Sequence, residues 1–228
     1  MKSRKTRTSV YRFDRPGMLD DFIQVGSVTQ VIGTEGLVLA NTAASQQKLT
    51  SLGTAVAPFK IKDLISLEAV AKFSCVTDCR FGIGVTDGLN ATADIFAHGK
   101  FVMLGLVSQS GSVNTTAEVS SDDGTTAVTK LDSGFNAPRD MWLHLRIEFT
   151  GKKTVSPPSY SAGQQVSFEI TGPGGFTHHV PLNTAIDLSL AKEASVAPFI
   201  YLETGSEAGT PWDTIKVQEI CVEHLLTN

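Results

Sequence analysis

Paired carboxylates are the residues of this sequence that could carry acid and base chemistry. Glu203 and Glu207 flank a three-residue segment, and Asp122 and Asp123 are adjacent to each other. Glycoside hydrolysis requires two carboxyl groups on one face at a set separation, and neither pair has the alternating strand spacing that would provide it. We therefore expect no catalytic residues and no enzymatic activity. A glycan-active hydrolase or lyase ranks last among the alternatives.

Three short segments contain residue types that bind metal ions. Residues 87–94, Asp-Gly-Leu-Asn-Ala-Thr-Ala-Asp, offer oxygen ligands for Ca²⁺, but their spacing fits no calcium loop and favours an Asp-Gly turn. His178 and His179 are neighbours and would point to opposite faces of a strand. Cys75 and Cys79 lack the two-residue spacing of zinc-binding pairs. The sequence therefore predicts no metal ion and no cofactor.

Three aromatic residues, Trp212, Tyr201 and Phe176, are candidates for stacking on a sugar ring. Trp212 follows Pro211 in a predicted loop, where it would either anchor a ligand or close the end of the fold. The sequence contains no phosphate-binding loop, dinucleotide fingerprint or Gly-x-Ser-x-Gly elbow. Glycan binding therefore stays open as a function.

Positive charge is concentrated at the N-terminus. Residues 1–15 hold six basic residues and one acid, a net charge of +5, and because the whole chain carries −4, the remaining residues carry −9. Such an arm is suited to an acidic partner, whereas the acidic body would repel nucleic acid. We expect the arm to be disordered in the isolated protein, because ordering it costs entropy. The residues predicted to contact the partner are Lys2, Arg4, Lys5, Arg7, Arg12, Phe13 and Arg15.

Short segments rich in Val, Ile, Thr and Phe, separated by Gly, Asn, Asp, Ser and Pro, predict an all-β body that would position these residues. The segment 41–58 is the exception and is predicted to be a short helix or a long loop. The predicted strands span 22–25, 28–32, 37–40, 64–74, 81–86, 101–108, 112–119, 127–131, 142–149, 165–171, 177–180, 197–203 and 214–224.

Two segments show informative side-chain alternation. In 142–149, Leu143 and Leu145 share one face, and His144 lies on the other, solvent-facing side. In 215–224 the apolar positions shift by one residue after Gln218-Glu219, as an inserted bulge residue would cause. Both segments are therefore predicted to be half-buried strands.

Composition limits the class of protein. Hydrophobic residues make up 41% of the 228 residues, enough for a packed core, and no apolar run approaches the roughly 18 residues that a membrane span needs. The N-terminus has no apolar region of a signal peptide, and three cysteines do not form a disulfide framework, so synthesis in a reducing cytoplasm is expected. We predict a basic arm over residues 1–19 and a single domain over residues 20–228.

The order of the strands resembles a known family. Segments 142–149, 166–170, 198–204 and 213–217, preceded by 67–73 and the Phe-Gly-Ile-Gly-Val strand 81–85, are similar to the strands of concanavalin A-like jelly rolls of the laminin G-like and legume lectin type. The resemblance implies an all-β sandwich of two curved antiparallel sheets, one of them concave. The paired-carboxylate strand of the family's glycosidases is missing.

These features together predict a binding protein. The first hypothesis is a virion structural protein, a bacteriophage capsid decoration or cement protein that binds the major capsid protein through the arm and forms a homo-oligomer on the particle. It would be made in the host cytoplasm and reside in the virion. The alternative is a carbohydrate-binding or receptor-binding module of a virion or cell surface.

Overall fold

The computed structural model describes residues 6–15, 17–20, 22–27, 29–40, 44–45, 47–52, 59–75, 78–88, 92–108, 115–149, 165–180, 186–205 and 214–226. Within these ranges the chain forms seventeen strands and four short 3₁₀ turns. The strands are β1 (Thr6–Arg12), β2 (Phe22–Gly26), β3 (Thr29–Gly33), β4 (Gly36–Ala40), β5 (Gln47–Leu52), β6 (Phe59–Lys60), β7 (Leu64–Phe73), β8 (Cys79–Thr86), β9 (Phe101–Ser108), β10 (Thr115–Asp122), β11 (Ala127–Ala137), β12 (Trp142–Glu148), β13 (Gln165–Thr171), β14 (Thr177–His179), β15 (Ile186–Asp187), β16 (Ser195–Thr204) and β17 (Thr214–Leu225). The 3₁₀ turns are Ile61–Asp63, Ile95–Ala97, Pro173–Gly175 and Ser189–Ala191.

The strands form two antiparallel sheets. Sheet A has the order β14-β13-β12-β7-β17-β4-β3, with β1 also paired to β17 and β15 to β13. Sheet B has the order β11-β10-β9-β8-β16-β5-β2, with β6 also paired to β16. In each of the two orders, three of the six neighbouring pairs join strands that do not follow each other in the chain. The predicted all-β, two-sheet antiparallel jelly-roll sandwich is confirmed.

The main core lies between the two sheets. Strands β12 and β13 alternate strictly between buried and half-buried positions, as the pleat of a half-buried strand requires. Leu143, Leu145 and Ile147 are fully buried, whereas His144 lies on the outer face of sheet A, as predicted. No helix in the described part of the chain is long and apolar enough to cross a membrane.

Strand β17 contains the predicted bulge. Its pairing with β7 shifts register between Val217 and Glu219, and Ile220 and Val222 return to the buried face. The carbonyl of Gln218, at the bulge, accepts a hydrogen bond from the backbone N–H of Phe13 at 2.9 Å. The bulge is therefore where the N-terminal segment joins the sheet.

The N-terminal segment differs from the predicted free arm. Residues 6–12 form β1, paired with the second half of β17 from Arg12 opposite Glu219 to Thr6 opposite Leu225. Phe13 is fully buried and packs on Phe22, with the ring centroids 5.5 Å apart. Pairing with β17 and burial of Phe13 offset the entropy cost of ordering this segment. The expectation of a disordered arm took only that entropy cost into account. The division into an arm over residues 1–19 and a single domain over residues 20–228 stays a prediction, and residues 1–5 are outside the described ranges.

All thirteen predicted strands overlap observed ones, but the expectation for residues 41–58 was wrong in part. Gln47–Leu52 forms β5, which pairs with β16 on one side and β2 on the other. Its inward positions are occupied by Lys48 and Thr50, so the apolar alternation that marks a strand is missing. The short strands β6 and β15 were also not predicted.

Candidate ligand-binding site

Two glycines on the outer face of sheet B leave space for side chains that pack over this face. Gly82 and Gly84 of β8 occupy that face, and a Cβ on Gly84 would lie 1.9 Å from the carbonyl oxygen of Val102. A Cβ on Gly82 would lie 2.2 Å from the sulfur of Met103. The missing side chains leave a trough along β8, which Met103 and Phe199 fill from the neighbouring strands.

The loop between β8 and β9 covers this trough. Ile95 is fully buried against the trough, and Phe96 packs edge-on against Tyr201 with the ring centroids 6.1 Å apart. The Asp94 carboxylate accepts a hydrogen bond from the backbone N–H of Phe96 at 3.0 Å. His98 is buried, and its Nε2 lies 3.2 Å from the carbonyl oxygen of Thr92. The loop is therefore held in place by its own polar groups.

Beyond this cover, one arginine joins three strands of sheet B. Arg80 of β8 donates to Glu118 of β10 through Nε at 2.8 Å and Nη2 at 3.3 Å, and through Nη1 to Glu203 of β16. Glu203 lies directly opposite Arg80 in register. The side chains of Arg80 and Glu118 are 14% and 9% exposed, so this network is nearly buried.

Charge in the network is balanced and fixed. Burial alone would lower the pKa of Arg80, but the hydrogen bonds and charges of Glu118 and Glu203 outweigh it and raise the pKa, so the guanidinium stays charged. Lys130 Nζ lies 3.9 Å from Glu203 Oε1 and 4.7 Å from the centre of the Phe96 ring. A cation over an aromatic face is favourable, so Phe96 links the loop to the network.

An open cavity of about 520 Å³ lies against this network. The carboxylates of Asp78 and Glu203 and backbone groups of the lining could bind a polyhydroxylated ligand, because each sugar hydroxyl both donates and accepts hydrogen bonds. Gly205 closes one wall, where its N–H donates to the carbonyl of Asp78 at 2.7 Å. The described lining consists of Asp78, Cys79, Arg80, Val107, Ser108, Glu203 and Gly205.

Comparison with known proteins identifies the fold. The chain matches no protein-family model and no curated protein. It is similar to the CBM2 module of the evolved Dit protein of Lactobacillus casei BL23 phage J-1, with a TM-score of 0.63 and 10% identity over 100% of this chain and 99% of that one. The fold is a concanavalin A-like jelly roll.

Lectin domains share this jelly roll. The exoplasmic/lumenal domain of VIP36, in its Ca²⁺/Man3GlcNAc-bound form, matches with a TM-score of 0.59 and 10% identity over 96% of this chain and 90% of that one. A legume lectin-like domain from Entamoeba histolytica matches with a TM-score of 0.59 and 11% identity over 93% of this chain and 94% of that one. The resemblance predicted from the strand order is confirmed at the level of fold.

The jelly roll does not bring Tyr201 and Phe176, the two described residues of the predicted sugar-stacking set, together. Tyr201 is fully buried beneath Phe96. Its position in the strand alone would have placed it on an open sheet face. Phe176 is 65% exposed but follows the Pro173–Gly175 turn in sheet A, where its ring lies 4.5 Å from that of His178. Trp212 lies outside the described residues. The predicted platform therefore does not include both Tyr201 and Phe176 on one surface.

The predicted partner-binding residues of the arm have different environments. Arg7 and Arg15 are exposed, and Arg12 forms an ion pair with Glu219 at 3.1 Å. Phe13 is inside the core and presents no surface to a partner, because its ring packs against Phe22 and not against solvent. Lys2, Arg4 and Lys5 lie outside the described residues.

The candidate metal-binding segments have structural contacts instead. Asp87 accepts a hydrogen bond from the backbone N–H of Lys100 at 3.0 Å, and His179 pairs with Glu169 at 3.0 Å. Cys75 and Cys79 are buried, and neither is part of a disulfide bond. Among the described residues, no group of three or more His, Cys, Asp or Glu is placed to hold a metal ion.

The Arg80 network was not predicted from the sequence. Glu203 was considered only with Glu207, which lies outside the described residues, and Glu118 was not considered. Arg80 directly precedes the Phe-Gly-Ile-Gly-Val strand and lies on the same face as Gly82 and Gly84. A charged residue on this otherwise glycine-lined face was the one available signal of a buried ion pair.

Proposed function

We propose that the protein is a carbohydrate-binding module that binds its ligand in the cavity beside Arg80. The observation that carries this proposal is the rigid floor made by Arg80, Glu118 and Glu203, whose net charge Lys130 balances, under an open cavity. A preorganised polar floor binds hydroxylated ligands at low entropic cost, because its side chains are already fixed. The guanidinium of Arg80 lies over the Phe96 ring, 5.7 Å from its centroid, which further fixes the floor.

The fold supports the same proposal. The VIP36 domain is described in a Man3GlcNAc-bound form, and the phage Dit neighbour is named as a CBM2 module. Both share the sandwich on which this cavity is built. Since one fold hosts many functions, the cavity and not the fold must carry the test.

Binding rather than catalysis is part of the proposal. One guanidinium engages the carboxylates of both Glu118 and Glu203. A catalytic pair would need one carboxyl group to deliver a proton and the other to face the sugar without such a partner. We therefore propose that the protein releases its glycan unchanged, which mass spectrometry of bound and recovered oligosaccharides would check.

The binding experiment uses a broad glycan screen followed by calorimetry. Asp78→Asn changes a lining residue outside the Arg80 network and is expected to weaken binding about tenfold, as loss of one hydrogen bond to a charged or polar group does. Asp187→Asn, in a second cavity lined by Val128 and Ile186, is the matched control. A screen without hits, or an Asp78→Asn variant that binds like the wild type, would remove the proposal.

A virion structural role is the second candidate, and the charge of residues 1–15 favours it. Strand β1 lies at the edge of sheet A, and its exposed Arg7 and the following Arg15 would add to the predicted cationic surface. The proposed partner is an acidic surface of a major capsid protein or another virion protein. In this role the protein would be a capsid decoration protein, a homo-oligomer located on the particle. One neighbour of the same fold comes from a phage.

The particle experiment must change charge without removing β1. Glutamine at positions 2, 4, 5, 7 and 15 keeps the strand and Phe13, whereas deletion would remove both. We expect the wild type to co-sediment with candidate particles and this variant to stay in the supernatant. Lys60→Gln with Lys62→Gln, which removes an unrelated basic pair around Glu193, is the control. Equal binding by the charge variant would refute the role of the arm.

A further inference from the structure

A buried lysine lies between the two sheets, on the face of sheet B opposite to the cavity. Lys48 of β5 is directly opposite Leu202 of β16, which belongs to the core, so its side chain shares the inward face. Only 8% of Lys48 is exposed. Lysine is almost never buried to this extent unless it is paired.

The ammonium of Lys48 is poorly satisfied. Its Nζ donates to the carbonyl of Gly26 at 3.5 Å, a long hydrogen bond, and within the described ranges no carboxylate forms an ion pair with it. Burial lowers the pKa of Lys48. A buried charge without a counter-charge is costly, so a negatively charged hydrogen-bond acceptor would be strongly favoured beside Lys48.

A second donor without an acceptor faces the same space. Thr50, two positions from Lys48 on the same face of β5, donates to Gln30 Oε1 of β3 at 2.8 Å. This bond fixes the orientation of the Gln30 amide, because its oxygen is the acceptor of the Thr50 hydroxyl. Gln30 Nε2 is buried and, among the described residues, has no hydrogen-bond acceptor. Lys48 and Gln30 thus place two donors at one end of the space between the sheets, and among the described residues neither donor has a carboxylate acceptor.

We propose that Lys48 and Gln30 form a binding site for a small carboxylate. The two oxygens of a carboxylate can accept one hydrogen bond from the ammonium and one from the amide N–H, and its charge neutralises the lysine. Thr50 positions the amide and does not contact the ligand. The site is separate from the proposed glycan site, since Lys48 faces the core and Arg80 faces the opposite side of sheet B.

Formate and acetate are the probes. The full-length protein is prepared in a buffer free of carboxylates, and its denaturant midpoint is measured as sodium formate or acetate replaces sodium chloride at constant ionic strength. We expect a saturable rise in the midpoint, because a ligand that binds only the folded state stabilises it. Line broadening of ¹³C-formate in NMR spectra should give the same dissociation constant.

Three variants make the result specific. Lys48→Met should lose the response to formate, and without formate it should be at least as stable as the wild type, because an unpaired buried ammonium has been removed. Gln30→Leu should bind at least tenfold more weakly. Lys60→Met, at an exposed lysine, should respond like the wild type.

Two results would overturn the proposal. The first is a wild type whose midpoint and formate line width do not respond. The second is an equal response in Lys48→Met, or an equally saturable response to chloride, which would indicate a general effect of anions. If Lys48→Met does not fold, the formate line width with the wild type and Gln30→Leu decides.

Discussion

Arg80 on β8 bonds Glu118 on β10 across the intervening strand β9, at the position where β9 has Gly105. Glu118 is directly opposite Gly105, and Gly105 is opposite Gly82, whereas Arg80 is opposite Val107. The guanidinium therefore reaches the carboxylate diagonally, past a position of β9 that has no side chain. Three strands are thereby tied by one residue. The cavity floor is consequently part of the packed sheet and not of a loop.

Arg80→Met should destabilise the fold strongly. It leaves the Glu118 and Glu203 carboxylates without their shared partner, and breaking a buried pair costs about 3 to 5 kcal/mol. Chemical denaturation measures the change. Glu193→Gln, which removes an exposed ion pair with Lys62, should leave the midpoint unchanged. Similar midpoints for both variants would mean that the network contributes nothing.

The two trough glycines should differ in their response to alanine. At Gly84 the new Cβ would meet the backbone carbonyl of Val102, which cannot move without shifting β9, so we expect a loss of about 2 kcal/mol or more. At Gly82 it would meet only the flexible side chain of Met103. Gly82→Ala should therefore cost less, and less still in a Met103→Ala background. A double-mutant cycle on unfolding free energies checks this, and a larger loss at Gly82 would contradict it.

The strands that could be predicted from sequence are those whose inward positions are apolar. The bulge in β17 was also visible, because Ile220 and Val222 change phase after Val217. Strand β5 was not visible, since Lys48 and Thr50 occupy its inward positions. Strand β1 was hidden because an edge strand with mostly exposed residues has no apolar alternation.

The site could not be predicted for a different reason. Arg80 is separated by 38 residues from Glu118 and by 123 from Glu203, so no local spacing connects them. Their contact depends on the strand order β10-β9-β8-β16 and on register. Sequence patterns predict which face a residue occupies, but pairing between distant strands decides which charges meet.

Stability should depend on pH through His144 and Glu68, whose Nε2 and Oε2 atoms lie 2.9 Å apart on the outer face of sheet A. The hydrogen bond to Glu68 raises the pKa of His144 above 6.5, so its contribution is complete below pH 6.5 and is lost as pH rises through the folded-state pKa. The hydrogen bond to His144 lowers the pKa of Glu68 below 4.5, so that contribution is complete above pH 4.5 and is lost as pH falls through the lower value.

The pair should therefore stabilise the fold fully between pH 4.5 and 6.5. Because both side chains are partly exposed, we expect only about 0.5 kcal/mol. Unfolding free energies of the wild type and His144→Gln, measured from acid to neutral pH, should differ most within this window. A difference that grows above pH 7 would show that the sign is wrong.

Phe13→Ala tests whether the N-terminal segment belongs to the fold. The ring is fully buried against Phe22, and truncating a buried phenylalanine costs about 3 to 5 kcal/mol. Val10→Ala changes a side chain of the same strand that is 46% exposed, so it should cost less than about 0.5 kcal/mol. Denaturation of the isolated protein separates the two cases. If Phe13→Ala is as stable as the wild type, residues 6–13 do not pack on sheet A in solution, and the hypothesis of a free arm that orders only on its partner is restored.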